Sequence, residues 1–364
     1  MMKIQNEGGI PLQAVAKRYV SYLPGIALAL VIAAISRFIE GLLPIHIIGA
    51  AVIAMFIGMG INALWLPTRT FKPGLTFTSK KLLKFAIILL GASLSIGVIL
   101  NVGKLSLLVM LFTLLTCFGG GYFIGKALGL NWKLSNLISA GTGICGGSAI
   151  AAIAPTIDAK DTDIAYAMSA TFLFDMAMII LFPIMGRAMG LTDMAYGLWA
   201  GTAVNDTSSV VAAGFAFSEA AGDFATMVKL TRTLSIIPTV LVFAFINVRI
   251  KRREALSAGS TQDIKANVSV GKLFPWFIVG FLAMSLIKSV GWIPDSVSNV
   301  LKDVSKFLMV AALAAIGLNT SFKEMSKSGI APMLHGFIIS ALVVIVAIAV
   351  EYVMHLMGWL QLFV

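Results

Sequence analysis

Charged residues are scarce in this chain: of its 364 residues only 12% are Asp, Glu, Lys or Arg, whereas 59% are apolar. Soluble globular proteins contain about a quarter charged residues. The mean hydropathy is +0.97. A soluble fold of this length could not bury so much apolar surface. The composition therefore excludes an ordinary soluble enzyme and a disordered chain, and it predicts a protein that crosses a bilayer many times.

Cysteine and histidine are also rare, with two cysteines and three histidines in the sequence. Cys117 and Cys145 lie in apolar stretches and offer no disulfide framework or metal-ligand spacing. The histidines are far apart in sequence, and no GxxxxGK[ST] phosphate loop is present. These absences argue against an intramembrane enzyme and a nucleotide-driven pump. We expect no cofactor and no bound metal.

The charge that is present has a marked sign, with a net charge of +11. No basic patch is interleaved with exposed aromatics, so nucleic-acid binding is not expected. Lys and Arg collect in the cytoplasmic loops of membrane proteins. With a cytoplasmic N-terminus, most of them fall inside, and the outside loops at 158–163 and 219–223 hold acids. We therefore predict a bacterial inner-membrane protein with a cytoplasmic N-terminus and a periplasmic C-terminus.

Apolar runs of spanning length can be marked off between charges, Pro and Gly. The fold class predicted is an all-α integral membrane protein of about eleven transmembrane helices. The residues before the first run, 1–20, form a cytoplasmic segment, and 249–272 form a cytoplasmic linker. The predicted spans are 21–43, 45–65, 82–102, 105–126, 134–157, 163–187, 194–217, 224–248, 273–291, 303–322 and 330–356.

Two internal similarities suggest repeats. Gly91–Ser95 pairs with Gly317–Ser321, and Gly141–Ser148 pairs with Gly201–Ser208. Because each match consists of small residues that are common in membrane helices, chance is a serious alternative. Secondary transporters are often built from inverted repeats. We expect an additional first helix, 21–43, followed by five-helix repeats at 44–190 and 191–364.

Clusters of small residues predict breaks at mid-depth in two crossing helices, at 143–148 in span five and at 317–321 in span ten. Glycine weakens a helix by about 1 kcal/mol relative to alanine. The alternative is close helix packing through small residues. Spans five and seven run in the same direction if both cross fully. They are inverted only if both are re-entrant hairpins, and the sequence leaves this choice open.

Four ionisable residues lie well inside apolar runs: Asp175, Asp206, Lys229 and Arg232. Charges inside a membrane are costly and usually pair or line a water-filled path. Asp175 and Arg232 could instead form a buried structural ion pair, and Lys229 could reach the outer interface. The candidate substrate-binding residues are Gly146, Gly147, Ser148, Asn205, Arg232, Asn319, Thr320 and Ser321. The candidate coupling-ion residues are Asp175, Asp206, Thr142 and Ser208.

The segments Gly141–Ala152, Gly201–Ser209 and Gly317–Ser321 resemble the YeiH-type bacterial inner-membrane proteins, a family designated as sulfate exporters by inference. The resemblance covers most of the chain. The family is distantly similar to the sodium/bile-acid symporter and sodium/proton antiporter superfamily. That similarity implies inverted five-helix repeats with two crossed, broken helices, a core domain that moves against a second domain, and a homodimer.

Together these features predict a secondary-active transporter of a small anion, with sulfate or an organic sulfonate as the expected substrate. Because no nucleotide-binding motif is present, the driving force would be a gradient of H⁺ or Na⁺. The alternative is a passive anion channel or facilitator. An enzyme is not expected, because Cys145 has no histidine in its motif.

Overall fold

The computed structural model describes residues 20–42, 50–64, 70–257, 276–320 and 329–363. Every regular element among these residues is a helix, and one isolated β-bridge joins Leu191 and Phe363. The α-helices are α1 (Leu23–Leu42), α2 (Ala50–Leu64), α3 (Lys72–Phe77), α4 (Leu83–Leu90), α5 (Ile96–Leu115), α6 (Gly121–Ala127), α7 (Trp132–Ala140), α8 (Gly147–Ile153), α9 (Asp161–Ala188), α10 (Asp193–Ala203), α11 (Thr207–Phe217), α12 (Glu219–Thr233), α13 (Ile236–Ser257), α14 (Trp276–Ser289), α15 (Asp295–Asn319) and α16 (Ile330–Leu356).

Several helical stretches have the length and composition of membrane spans. Among the described residues five stretches qualify: Leu23–Leu42, Ile96–Ala127, Thr162–Ala188, Glu219–Arg253 and Ile330–Leu356. The helices Ala50–Leu64, Thr207–Phe217 and Trp276–Ser289 are apolar but shorter. The prediction of an all-helical protein that enters the membrane repeatedly is thus confirmed, and the count of eleven crossings stays a prediction.

The distribution of polarity is the reverse of that in a soluble protein. Large apolar side chains such as Phe38, Leu107 and Phe245 point outward from the helices, and each is more than half exposed. Charged Lys229 and Arg232 are instead buried in the interior. An exposed apolar surface of this kind is stable in contact with lipid, whereas buried charges need partners inside the protein.

The predicted boundary between spans 82–102 and 105–126 is wrong. Helix α5 continues through a π-helical turn, Thr116–Gly120, into α6, so Gly103 lies inside a helix. The break comes earlier, where Ser95 caps α5 by accepting a hydrogen bond from the Val98 amide at 3.4 Å. A capping hydroxyl satisfies an N–H group that has no partner in the helix, and a lone glycine does not do this.

Helices α7 and α8 form a hairpin and do not continue one another. The chain turns at Gly146, whose φ is 63°. At the open end, the Lys133 ammonium donates to the Asp158 carbonyl at 2.8 Å, and the Asn131 amide donates to the Asp163 carboxylate at 3.2 Å. Residues before α7 and after α8 are therefore neighbours. We call residues 131–158 the first hairpin.

Helices α10 and α11 form a second hairpin that turns at Val204–Asn205–Asp206. At its open end the Ser218 hydroxyl donates to the Asp193 carboxylate at 2.6 Å. The Tyr196 hydroxyl donates to the Ala213 carbonyl at 2.9 Å, which joins the two arms. We call residues 193–218 the second hairpin. The repeated motif of the sequence, Gly141–Ser148 and Gly201–Ser208, thus forms the two hairpin tips.

The two hairpins enter the molecule from opposite ends. The first opens where the Lys251 ammonium lies 2.6 Å from the Asp158 carboxylate, and we call this the linker end. Hydrogen bonds from Lys251 and Asn247 lower the pKa of Asp158 there. The second opens at Asp193 and Ser218, which we call the far end. Helix α9 joins the two ends, since its last turn carries Arg187, which donates to the Ala216 carbonyl at 2.8 Å.

This arrangement corrects the predicted sidedness of the loops. Full crossings by spans five and seven would place 158–163 and 249–272 on opposite sides of the membrane. The ion pair between Asp158 and Lys251 places Asp158 and the start of the linker at the same end of the molecule. Each hairpin returns to the end from which it starts, so replacing two crossings by two hairpins removes an even number of crossings. The start of α1 and the start of the linker therefore stay at the same end.

Span ten is not broken at 317–319. Helix α15 runs without interruption from Asp295 to Asn319. A Cβ at Gly317 would collide with the Met55 carbonyl, and the Asn62 amide donates to the Leu318 carbonyl at 2.6 Å. This glycine therefore allows α2 and α15 to pack closely. Close helix packing was the alternative interpretation of the small residues at 317–321. The second discontinuity lies at 204–206 instead.

The hairpin arrangement predicts the outcome of cysteine labelling. Lys160→Cys and Arg252→Cys should react with a membrane-impermeant maleimide from the same side. Ser296→Cys should react only from the other side, because Lys302 of the same helix pairs with Glu219 at the far end. All three positions are exposed, and the native thiols of Cys117 and Cys145 are buried and should stay silent. The measurement is a gel-shift assay on intact cells and on inverted vesicles. Labelling of Lys160→Cys and Arg252→Cys from opposite sides would contradict the first hairpin.

Candidate functional site

The tips of the two hairpins meet inside the protein, and two cations of α12 hold them there. Arg232 donates from Nε to the Gly143 carbonyl at 2.6 Å and from Nη2 to the Thr142 carbonyl at 2.6 Å. It also reaches the Val204 carbonyl of the second tip at 3.4 Å. Lys229 Nζ donates to the same Val204 carbonyl at 2.9 Å. One helix therefore binds both tips.

These contacts follow from the way an α-helix ends. The last carbonyls of a helix have no N–H partner, and they carry the negative end of the helix dipole. The first arm of each hairpin ends in the interior, where water cannot solvate those carbonyls. Lys229 and Arg232 lie three residues apart and so on one face of α12. Their side chains, 0% and 1% exposed, supply both donors and positive charge to the carbonyls.

The turn of the second hairpin is held from the other side by a carboxylate. Asp175 of α9 accepts hydrogen bonds from the backbone N–H groups of Asn205 and Asp206, each at 2.9 Å. Asp206 in turn caps α11, because its carboxylate accepts from the Ser208 amide at 2.9 Å and from the Ser208 hydroxyl. Carboxylates thus lie at the N–H ends of the turn and cations lie at its carbonyl end, as the helix dipole favours.

The four ionisable side chains at the tips bind backbone groups of the hairpins and do not pair directly with one another. Among the ion pairs that join described residues, none involves Asp175, Asp206, Lys229 or Arg232. The structural ion pair between Asp175 and Arg232, an alternative raised from the sequence, is therefore absent here. The suggestion that Lys229 reaches the outer interface is wrong, since this side chain is fully buried.

A second polar group lies beside the tips and includes two residues that the sequence analysis missed. The Asn205 amide reaches the Ser340 hydroxyl at 3.4 Å and the Thr171 carbonyl at 3.5 Å. The Ser340 hydroxyl is 3.5 Å from the Thr142 hydroxyl. These distances are at the upper limit of hydrogen bonds. Asn205 Oδ1 is buried and has no partner among the described residues. Ser340 gave no signal, because single hydroxyl residues are common in apolar helices, and Thr171 gave none, because it takes part through its backbone carbonyl.

The tips are open to the surface at a few positions only. Ser148 is exposed, and Gly147, Asp206 and Thr207 are partly exposed. Gly146 is buried against Asp206. The site is therefore reached along the start of α8 and the start of α11, whereas Arg232 behind them is enclosed.

The structure gathers most of the predicted site residues and leaves others apart. Asn319 is exposed at the end of α15, and the Thr320 hydroxyl donates to the Ile316 carbonyl at 2.8 Å. Among the described residues, no hydrogen bond joins either residue to the hairpin tips, and their assignment to the substrate site stays a prediction. Ser321 lies outside the described residues. The predicted residues found at or beside the tips are Thr142, Gly146, Gly147, Ser148, Asp175, Asn205, Asp206, Ser208 and Arg232.

A comparison of the two adjacent glycines tests the first tip. Gly146→Ala should lower the thermal stability of the purified protein, because φ is positive and a Cβ would lie 2.9 Å from Asp206 Oδ1. Strain of this kind costs about 1–3 kcal/mol. Gly147→Ala is the matched control, because a Cβ there meets no atom within 4 Å. Thermal unfolding in detergent measures both variants, and equal stability of the two would contradict the tip geometry.

Comparison with known proteins identifies the family. The family model described as Conserved hypothetical protein 698 matches residues 24–336. A UPF0324 membrane protein of Clostridium tetani (strain Massachusetts / E88) is 57% identical over 333 residues, which make up 91% of this chain and 96% of the relative. A UPF0324 membrane protein of Streptococcus pyogenes serotype M3 (strain ATCC BAA-595 / MGAS315) is 39% identical over 337 residues, with 90% of this chain and 96% of the relative covered.

A third relative agrees with these two. The UPF0324 membrane protein of Streptococcus pneumoniae serotype 4 is 39% identical over 312 residues, which make up 84% of this chain and 89% of the relative. The family expected from the sequence motifs is thereby confirmed, and the more distant similarity to the sodium/bile-acid symporters stays a prediction. The chain is a multi-pass membrane protein that belongs to the UPF0324 family.

Proposed function

We propose that the chain is a secondary-active transporter that moves a small anion across the bacterial inner membrane by alternating access. The observation that carries this proposal is the meeting of two opposed hairpin tips at three buried ionisable side chains, Asp175, Lys229 and Arg232, and the partly exposed Asp206. Backbone that is not helical is tolerated at membrane depth only where protein encloses it or where it lines a cavity. Transporters place their binding sites at such discontinuous helices.

The proposed membrane topology follows from the hairpins. Residues 131–158 and 193–218 are re-entrant, and the remaining apolar segments cross. The linker end is cytoplasmic in this proposal, because the lysines and arginines of 126–133 and 249–253 lie there. With this orientation the second hairpin opens to the periplasm. Each hairpin then separates the site from one side of the membrane, which is the arrangement that alternating access needs. A homodimer remains part of the proposal through the family resemblance.

The charge balance at the tips supports coupled transport. With Asp175, Asp206, Lys229 and Arg232 all ionised, the formal charges cancel. A sulfate or sulfonate that entered alone would leave a net negative charge in a region of low dielectric constant, where unit charges a few ångströms apart interact strongly. The cost is offset when H⁺ or Na⁺ binds together with the anion. The proposal therefore couples one monovalent cation to each negative charge of the substrate.

Different parts of the tips suit the two ions. Gly147, Ser148 and Thr207 are accessible, and the cations Lys229 and Arg232 lie behind them, so this side attracts an anion. Helix α8 is short, and the two cations are the larger source of positive potential. The oxygens of Thr142, Asn205 and Asp206 can accept a proton or surround a small cation. Since Arg232 is enclosed, direct contact with substrate requires that the tips move.

Transport into proteoliposomes tests the proposal. Uptake of radiolabelled sulfate, and separately of a small alkyl sulfonate, should require an imposed H⁺ or Na⁺ gradient and should reach concentrations above those outside. Empty liposomes give the background. Flux that only follows the anion gradient, with no accumulation, would favour the passive channel or facilitator. The absence of flux for every anion offered would contradict a transporter of small anions.

Asp206→Asn tests the role of the charge balance. The variant site carries one surplus positive charge, so an anion can enter without a coupled cation. We expect the dependence of uptake on pH or Na⁺ to be lost, while downhill anion flux stays within about tenfold of wild type. Asp193→Asn is the matched control, because Asp193 is exposed at the open end of the same hairpin. A variant that keeps the full gradient dependence would contradict the role given to Asp206.

A further inference from the structure

A cleft of about 490 Å³ lies between α1 and α3, away from the hairpin tips. Three lysines line it, together with two aromatic rings, one proline and one threonine. Lysines 72, 80 and 81 are all exposed. No acidic residue is part of the lining. The residues around the cleft are Tyr22, Lys72, Pro73, Thr76, Phe77, Lys80 and Lys81.

The local structure forms this cleft in two ways. Gly25 and Gly74 let α1 and α3 approach closely, since a Cβ on Gly74 would lie 2.8 Å from the Gly25 Cα. The Tyr22 ring then stacks on Phe77 with centroids 5.3 Å apart and forms an apolar wall. After α3 the chain makes a π-helical turn, Thr78–Leu82, which holds Lys80 and Lys81. Single π turns inside helices are frequent at functional sites.

No ion pair within the described part of the chain compensates the charge of the cleft. Ion pairs between described residues include Lys251, Lys288, Lys302 and Lys306 but none of the cleft lysines. Three ammonium groups on one short stretch repel one another when they have no partner. An anion bound among them would remove this repulsion.

The position of the cleft indicates where the anion comes from. Tyr22 directly precedes Leu23–Leu42, a helix long and apolar enough to cross the membrane. The other end of α1 lies at the far end of the molecule, since Arg37 donates to the Asp303 carbonyl at 3.5 Å and Lys302 contacts Glu219. Tyr22 and the cleft are therefore at the linker end. Tyrosine and lysine at the end of a span are typical of the interface between lipid headgroups and water.

We propose that this cleft binds the headgroup of an anionic phospholipid. The phosphodiester lies among the ammonium groups of Lys72, Lys80 and Lys81, and the upper part of an acyl chain lies against Tyr22 and Phe77. Basic pockets between membrane helices on the cytoplasmic side are suited to such headgroups. The apolar wall distinguishes a lipid from a free phosphate ion, which would gain nothing from the two rings. This site is separate from the proposed transport function and does not depend on it.

The test uses the purified full chain in detergent and measures lipid binding by native mass spectrometry and by thermal shift. Phosphatidylglycerol should bind and raise the unfolding temperature more than phosphatidylcholine. The combined variant Lys72→Gln, Lys80→Gln and Lys81→Gln should bind phosphatidylglycerol about tenfold more weakly or worse. The matched control is Lys126→Gln, Lys160→Gln and Arg252→Gln, which removes the same charge from exposed positions at the same end but outside the cleft.

Each outcome decides the proposal. Loss of binding in the cleft variant and wild-type binding in the control support it. Equal loss in both variants shows a diffuse charge effect and overturns it. Glycerol 3-phosphate and inorganic phosphate are the arms for a free anion: if either displaces phosphatidylglycerol at equal concentration, the site is for a phosphate and not for a lipid. If the cleft variant does not fold, Tyr22→Ala, which keeps every charge, should still weaken phosphatidylglycerol binding relative to phosphatidylcholine.

Discussion

The structure depends on how backbone carbonyls are satisfied where two helices stop inside an apolar interior. A helix end that is buried without partners costs about 1–3 kcal/mol for each polar group left alone. Here α12 supplies the partners, with Arg232 on the Thr142 and Gly143 carbonyls and Lys229 on Val204. Asp175 does the same for the N–H groups of the second turn. The buried charges are thus explained by the broken helices, and the broken helices are stable because of the charges.

The mutual dependence of buried charges and broken helices explains which parts of the site could be predicted. Asp175, Asp206 and Arg232 stand out in the sequence, because a charged side chain in an apolar run is costly and usually has a partner or a function. The glycines of 141–148 also stand out. The sequence does not show that α7 and α8 return to the same end, because hydropathy measures how apolar a segment is and not the direction in which it runs. The contacts that decide the matter, such as Lys251 with Asp158, join residues far apart in sequence.

Gly317 is a second case in which the sequence does not reveal the structural role of a residue. A glycine that breaks a helix and one that lets two helices touch have the same sequence signal, and only the neighbouring element tells them apart. Met55 is that neighbour, on α2, more than 250 residues earlier in the chain. Ser340 and Thr171 were missed for a related reason: the Ser340 hydroxyl and the Thr171 backbone carbonyl are unremarkable until the buried amide of Asn205 is placed beside them.

The enclosure of the first tip has a consequence for the thiol of Cys145. This residue directly precedes Gly146, and its side chain is 1% exposed. In the alternating-access cycle proposed above the tips separate, and a reagent from solution would reach the sulfur only in that open form. The rate of its alkylation then equals the equilibrium fraction of the open form multiplied by the intrinsic rate of the reagent. Alkylation of native Cys145, far slower than that of an exposed cysteine, would therefore report the population of the proposed open form.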